Sequence, residues 1–72
     1  MMVPIDEFHA RDGMIRLGQL LKAAGFVESG GEAKSVLAEG VVRVNGEVET
    51  RRGRQLVPGD EVVAGDASVR LT

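Results

Sequence analysis

Ser29-Gly30-Gly31-Glu32-Ala33-Lys34-Ser35-Val36-Leu37-Ala38-Glu39-Gly40-Val41-Val42-Arg43-Val44-Asn45-Gly46 holds a helix, both of its ends and the first arm of a hairpin. Ser29 with Glu32 reads as a capping box: the hydroxyl accepts the Glu32 amide, and the carboxylate reaches back to the cap amide. Ala33, Val36 and Leu37 form the apolar stripe of the helix that follows, and Gly40 ends it. Val41 to Val44 is β-branched, broken only by Arg43. Asn45-Gly46 is the strongest short hairpin signal, because both turn residues must accept positive φ. Glu47 to Thr50 is then the return strand. A strict two-residue turn sets Val44 against Glu47 and Arg43 against Val48, which mixes apolar and charged residues on both faces. Either a bulge resets the register or the hairpin projects partly into solvent.

Upstream, Leu17, Leu20, Leu21 and Ala24 fall at i, i+3, i+4 and i+7, one face of a helix running from about Leu17 to Ala24. Gly25 suits its left-handed end. Phe26 and Val27 lie in the short connection and can fold back onto the helix pair. Before this, Pro4 bars a regular central strand, Asp12-Gly13 signals a turn, and Glu7 to Ala10 is either a short strand or a loose tail. Downstream, Pro58-Gly59 fits a type II turn. Glu61 to Ala64 and Ala67 to Leu71 flank Gly65-Asp66, and pairing across it puts Val62, Ala64, Ala67, Val69 and Leu71 on one face. The expected fold is α+β: two short packed helices followed by a small sheet of about four short antiparallel strands. Residues 1–13 form an extension or short strand, and residues 14–72 the domain.

With 72 residues there is room for one domain, and with no cysteine it is held by aliphatic packing alone. No run is long enough for a membrane span or a secretory signal, and the absence of cysteine fits the cytoplasm; the expectation is a cytoplasmic monomer. His9 is the single histidine, and a lone histidine in a polar stretch is usually a surface residue. No phosphate-binding glycine loop and no metal-ligand spacing is present, so neither an enzyme nor a cofactor or metal is expected.

The net charge of −2 argues against coating nucleic acid through bulk charge, but the charges are segregated. Arg16 and Lys22 lie on or beside the first helix. Lys34 edges the stripe of the second, and Arg43 is on the first strand. Arg51, Arg52 and Arg54 follow the hairpin. Arginine's planar fork suits phosphate oxygens. Each feature has a plainer reading: the arginine run as a solvated loop, Lys22 and Lys34 as ordinary helix surface, Asn45 as a turn requirement, Phe8 and Phe26 as core. With no Trp or Tyr the chain lacks the aromatic surface of single-strand readers; if RNA is the ligand, recognition of its shape and backbone is favoured over base stacking. A second helix opening on two glycines and an acid offers no row of base-reading side chains for DNA.

The ordered series Ile15-Arg16-Leu17, Leu20-Leu21, Gly25, Ser29, Ala33, Leu37, Gly40, Val42, Val44-Asn45-Gly46, Val57 and Gly59-Asp60 resembles the S-four RNA-binding domain family over roughly Met14 to Val62. Val27 through Lys34, and Val48 through Arg52, are similar to its small stand-alone bacterial members. The resemblance implies the alpha-L motif, with RNA lying across the helix pair and the hairpin. It implies structured RNA, ribosomal or other, as partner, together with the ribosome or its assembly intermediates. The candidate contacts are Arg16, Lys22, Lys34, Arg43, Asn45, Arg51, Arg52 and Arg54. Two positions depart from the family pattern. Gly30 stands where many members carry arginine, with Glu32 nearby, and Gly18 stands where an acid is usual. Lys34 and the Arg51 to Arg54 run would then supply the missing phosphate contact. The competing reading is a protein-protein adaptor that keeps the fold without binding RNA.

Overall fold

The computed structural model describes residues 5–72; the expectation placed on Pro4 lies outside them. Among these residues nine elements follow one another: β1 (Ile5–Phe8), β2 (Ile15–Arg16), α1 (Leu17–Ala23), α2 (Gly30–Ala38), β3 (Val42–Val44), β4 (Glu47–Val48), β5 (Gln55–Leu56), β6 (Glu61–Ala64) and β7 (Ala67–Leu71). A five-stranded sheet runs in the order β1-β7-β6-β3-β4, and β2 and β5 pair separately. The class is α+β, as expected. The sheet is larger and mixed where about four antiparallel strands were expected, because β1 joins it parallel to β7. That strand starts earlier than the anticipated Glu7 to Ala10 and ends at Phe8.

The helix ends form for the reasons the residues suggest. Gly25, at φ 83°, closes α1 in a Schellman arrangement: the Phe26 N–H donates to Leu21 O (2.9 Å) and the Gly25 N–H to Lys22 O (3.1 Å). At the head of α2 the Ser29 hydroxyl accepts the Glu32 N–H at 3.2 Å. The reciprocal bond is displaced by one residue, since the Glu32 carboxylate accepts from the Glu28 N–H (2.7 Å) and not from Ser29. The β3–β4 hairpin keeps the strict register, Val44 opposite Glu47 and Arg43 opposite Val48, without a bulge. Asn45 and Gly46 take φ of 52° and 86°. The mixed faces are resolved from the other side of β3. There Val44 pairs with Val62 and is buried, while both residues of β4 lie exposed. The return strand is short, Glu47–Val48; the Glu49 N–H still donates across to Val42 O (3.0 Å), and the chain turns away at Thr50.

One core unites the layers: Leu17, Leu20 and Leu21 of α1, Ala33 and Leu37 of α2, and Val42, Val44, Leu56, Val62, Val69 and Leu71 beneath them. Phe8 and Phe26 pack against its edge, as core residues should.

Asn45 has a second task. Its Nδ2 donates to Asp60 Oδ1 at 3.0 Å, its Oδ1 accepts the Glu61 N–H at 3.0 Å, and its own N–H donates to Glu61 O at 2.8 Å. The hairpin turn is thereby clamped to the Pro58-Gly59 turn, where Asp60 N–H closes on Val57 O and Gly59 takes φ 100°. Asn45→Ala loses both side-chain bonds and leaves an alanine in left-handed backbone. It is expected to cost about 1–2 kcal/mol of stability, read as a lower midpoint in urea.

Candidate nucleic-acid interface

The segment from Glu49 to Arg54 is fastened to α1 by backbone bonds. The first two helical amides have no partner within the helix. The Leu17 N–H donates to Arg54 O (2.8 Å) and the Gly18 N–H to Arg52 O (2.9 Å). Contact is close enough that a Cβ on Gly18 would meet Arg52 Cβ at 3.1 Å and Arg52 O at 3.4 Å. The glycine that departs from the family pattern thus lets the arginine segment lie on the helix. β2 adds a second link, with Ile15 opposite Leu56 and Arg16 opposite Gln55.

Glu49 organises the side chains of this segment. It is 7% exposed. Its Oε2 accepts the Thr50 and Arg51 N–H groups (both 3.0 Å) and Arg51 Nε (3.1 Å). Its Oε1 accepts Arg51 Nη2 (3.1 Å) and Arg54 Nη1 (3.0 Å). Arg51 therefore grips the carboxylate with two parallel bonds, and Arg54 shares one oxygen. The Arg51 side-chain and backbone bonds, then Arg54, hold the Glu49 carboxyl down at about 2 against the opposing effect of burial. At Asp60 burial works to raise the carboxyl. The Asn45 amide, the Val57 N–H and the Arg54 charge outweigh it, so the carboxyl lies below the ordinary range.

A pH dependence follows from Glu49. A carboxyl lowered from 4.5 to about 2 contributes stability that is fully present above 4.5 and is lost as pH falls through its folded value. The midpoint of thermal unfolding should hold from neutral pH to about 5 and fall steadily toward about 2. Glu49→Gln should flatten that decline, leaving the smaller share due to Asp60.

The structure brings four of the eight candidates together: Arg16 at the cap of α1, with Arg51, Arg52 and Arg54 on the segment that covers its first turn. Arg16 and Arg52 are exposed and enter no ion pair among the described residues. Lys22 lies in the last turn of α1, about 10 Å along the axis. Lys34 is exposed on α2, and Arg43 is exposed on β3 opposite Val48, with Nη1 3.4 Å from Gly46 O. Asn45 is occupied by Asp60 and Glu61. At the head of α2 the Glu32 N–H is taken by the Ser29 hydroxyl, and the Glu32 carboxylate is taken by the Glu28 N–H just before the helix. Sequence reasoning missed Glu49, Asp60 and the packing role of Gly18. The available signal for Glu49 was an acid two residues before an arginine, at the point where the hairpin ends. Among the described residues no cluster of histidine, cysteine and acidic side chains could hold a metal, and no helix is long and apolar enough to cross a membrane.

Two short helices docked on a small sheet, with an arginine-bearing segment bolted to the first of them, define a domain of the alpha-L type. A family model described as the S4 domain matches residues 8–72, and the chain belongs to that family. It is 55% identical over 49 residues to the "Probable ribosome maturation protein RlbA" of Bacillus subtilis strain 168, covering 68% of this chain and 69% of that one. It is 44% identical over 57 residues to the "Putative RNA-binding protein YbcJ" of Escherichia coli K12, covering 79% and 81%. The solution structure of YbcJ from E. coli, described as an alpha-L motif involved in RNA binding, superposes with a TM-score of 0.72 at 37% identity. The superposition covers all of this chain and 92% of that one.

Proposed function

We propose that this domain is a non-enzymatic binder of structured RNA, ribosomal RNA above all, acting as a cytoplasmic monomer on the ribosome or its assembly intermediates. The observation that carries the reading is the arginine segment fixed across the first turn of α1. With Arg16 at the cap of α1 it gathers four arginines beside two carboxylates, Glu49 paired with Arg51 and Arg54 and Asp60 under the Arg54 charge, in a chain whose net charge is −2. The local field there is positive although the molecule as a whole is not. The names of the Bacillus subtilis and E. coli relatives support the same direction. In this reading Arg16, Arg51, Arg52 and Arg54 contact phosphates, Lys22, Lys34 and Arg43 extend the field, and Asn45 holds the turn that shapes it.

The test is affinity for purified ribosomal RNA across a series of salt concentrations, beside sedimentation of tagged protein with ribosomal particles in cell extract. Binding should weaken with salt at a logarithmic slope of about 0.7–0.9 per phosphate contacted. An acidic chain with four clustered arginines should show a slope of roughly 2–4. A flat salt response, with association that survives ribonuclease, would favour the adaptor reading, in which the fold serves a protein partner.

A further inference from the structure

Resting on the RNA reading, we propose that Glu49 is a specificity-determining positioning residue: it holds Arg51 and Arg54 as a rigid two-pronged clamp for adjacent phosphates of a folded RNA backbone. A buried acid in the middle of an RNA-binding surface is otherwise a liability, since it cancels part of the charge that attracts the ligand. Its geometry explains its presence. Arg51 Nη2 and Arg54 Nη1 reach the same oxygen at 3.1 and 3.0 Å, so these two nitrogens are no more than about 6 Å apart. Two free guanidiniums would repel one another out of that arrangement. The carboxylate between them removes the repulsion. It also fixes Arg51 through both Nε and Nη2, leaving Nη1 and the outer N–H groups of Arg54 free to donate.

The anchor is itself anchored. The Thr50 and Arg51 N–H groups hold Glu49 Oε2, and the segment is bonded to α1 at Leu17 and Gly18. Each side chain of the clamp is thus set by the fold before RNA arrives, which lowers the ordering cost of binding. Fixed donors reward phosphates at one spacing and direction. Mobile arginines reward any polyanion. Glu49 therefore gives up some attraction to unstructured RNA in return for discrimination. Arg16 and Arg52, which make no ion pair among the described residues, supply the attraction that does not discriminate.

The experiment measures affinity of the full chain for ribosomal RNA and for poly(U), at matched salt, in wild type, Glu49→Gln and Arg51→Lys. Glu49→Gln keeps the shape of the side chain and releases the charge. It should bind ribosomal RNA about 10-fold more weakly and poly(U) as well as or better than wild type, so that their ratio collapses. Arg51→Lys keeps the charge and loses the fork, and should lose the ratio in the same way with the salt slope unchanged. A purely structural role for Glu49 would weaken both RNAs equally, in step with lost folding. A folded Glu49→Gln that keeps the wild-type ratio overturns the inference alone. If that variant does not fold, a retained ratio in Arg51→Lys overturns it. A wild type that binds neither RNA overturns the RNA reading beneath it.

Discussion

Leu20→Ala is expected to leave this domain mostly unfolded at physiological temperature. Leu20 is fully buried in the middle of α1 and belongs to the core that joins both helices to the sheet. Truncating a buried leucine removes its transfer energy and leaves a cavity, a loss of about 2–5 kcal/mol. A chain of 72 residues without a cysteine draws on a single core that supplies roughly 3–5 kcal/mol of net stability. The penalty is therefore comparable to everything the fold has. Urea titration by circular dichroism should show the midpoint moving to near zero denaturant. A midpoint within experimental error of wild type would mean that the core is not organised around α1.

The second large effect is on binding. The double variant Arg16→Ala, Arg52→Ala should weaken ribosomal RNA binding at least about 10-fold and lower the salt slope by roughly 1.5–2. Its unfolding midpoint should stay close to wild type. Alanine at 52 keeps the Cβ that lies on Gly18, and the bond from Gly18 N–H to the carbonyl of residue 52 is made by backbone. Arg16 contributes its own backbone N–H, not its side chain, to the bond with Gln19. Arg51→Ala or Arg54→Ala would not separate the two effects so cleanly, because each withdraws a partner from buried Glu49. Anisotropy titrations over a salt series, paired with thermal unfolding, distinguish the outcomes. An unchanged slope in the double variant would move the interface away from the head of α1.

These expectations differ in how much of them the chain discloses. The helix pair, its caps, the Asn45-Gly46 hairpin and the strands from Glu61 to Leu71 were legible because each is decided by neighbours within a few positions. Even the strict hairpin register could be written down, although its mixed faces made a bulge plausible. The resolution lay in Val62, on a strand sixteen or more residues away, which covers Val44 and leaves β4 to solvent. β1 was legible only as a local tendency, since its partner is at the opposite end of the sequence. At the site, the arginines could be picked out by type. Their division into two held by Glu49 and two without ion pairs among the described residues could not, because nothing in an acidic side chain announces that it will be buried. Gly18 read as a missing acid, whereas its role is to let Arg52 come close.

The parallel seam between β1 and β7 bears on how the chain reaches this structure. Ile5 meets Ser68 and Phe8 meets Leu71, 63 positions apart in each case. The α1–α2 pair and both hairpins bring together residues from nearby in the chain and can form early. The β1 seam must close a loop around nearly all of them, and loop entropy opposes it until the rest is in place. β1 is thus expected to dock last in folding and to be released first when the native state opens. In amide hydrogen exchange, the bond from Thr72 N–H to Phe8 O should yield through that partial opening. The ladder between β3 and β6 should yield only when the whole domain unfolds.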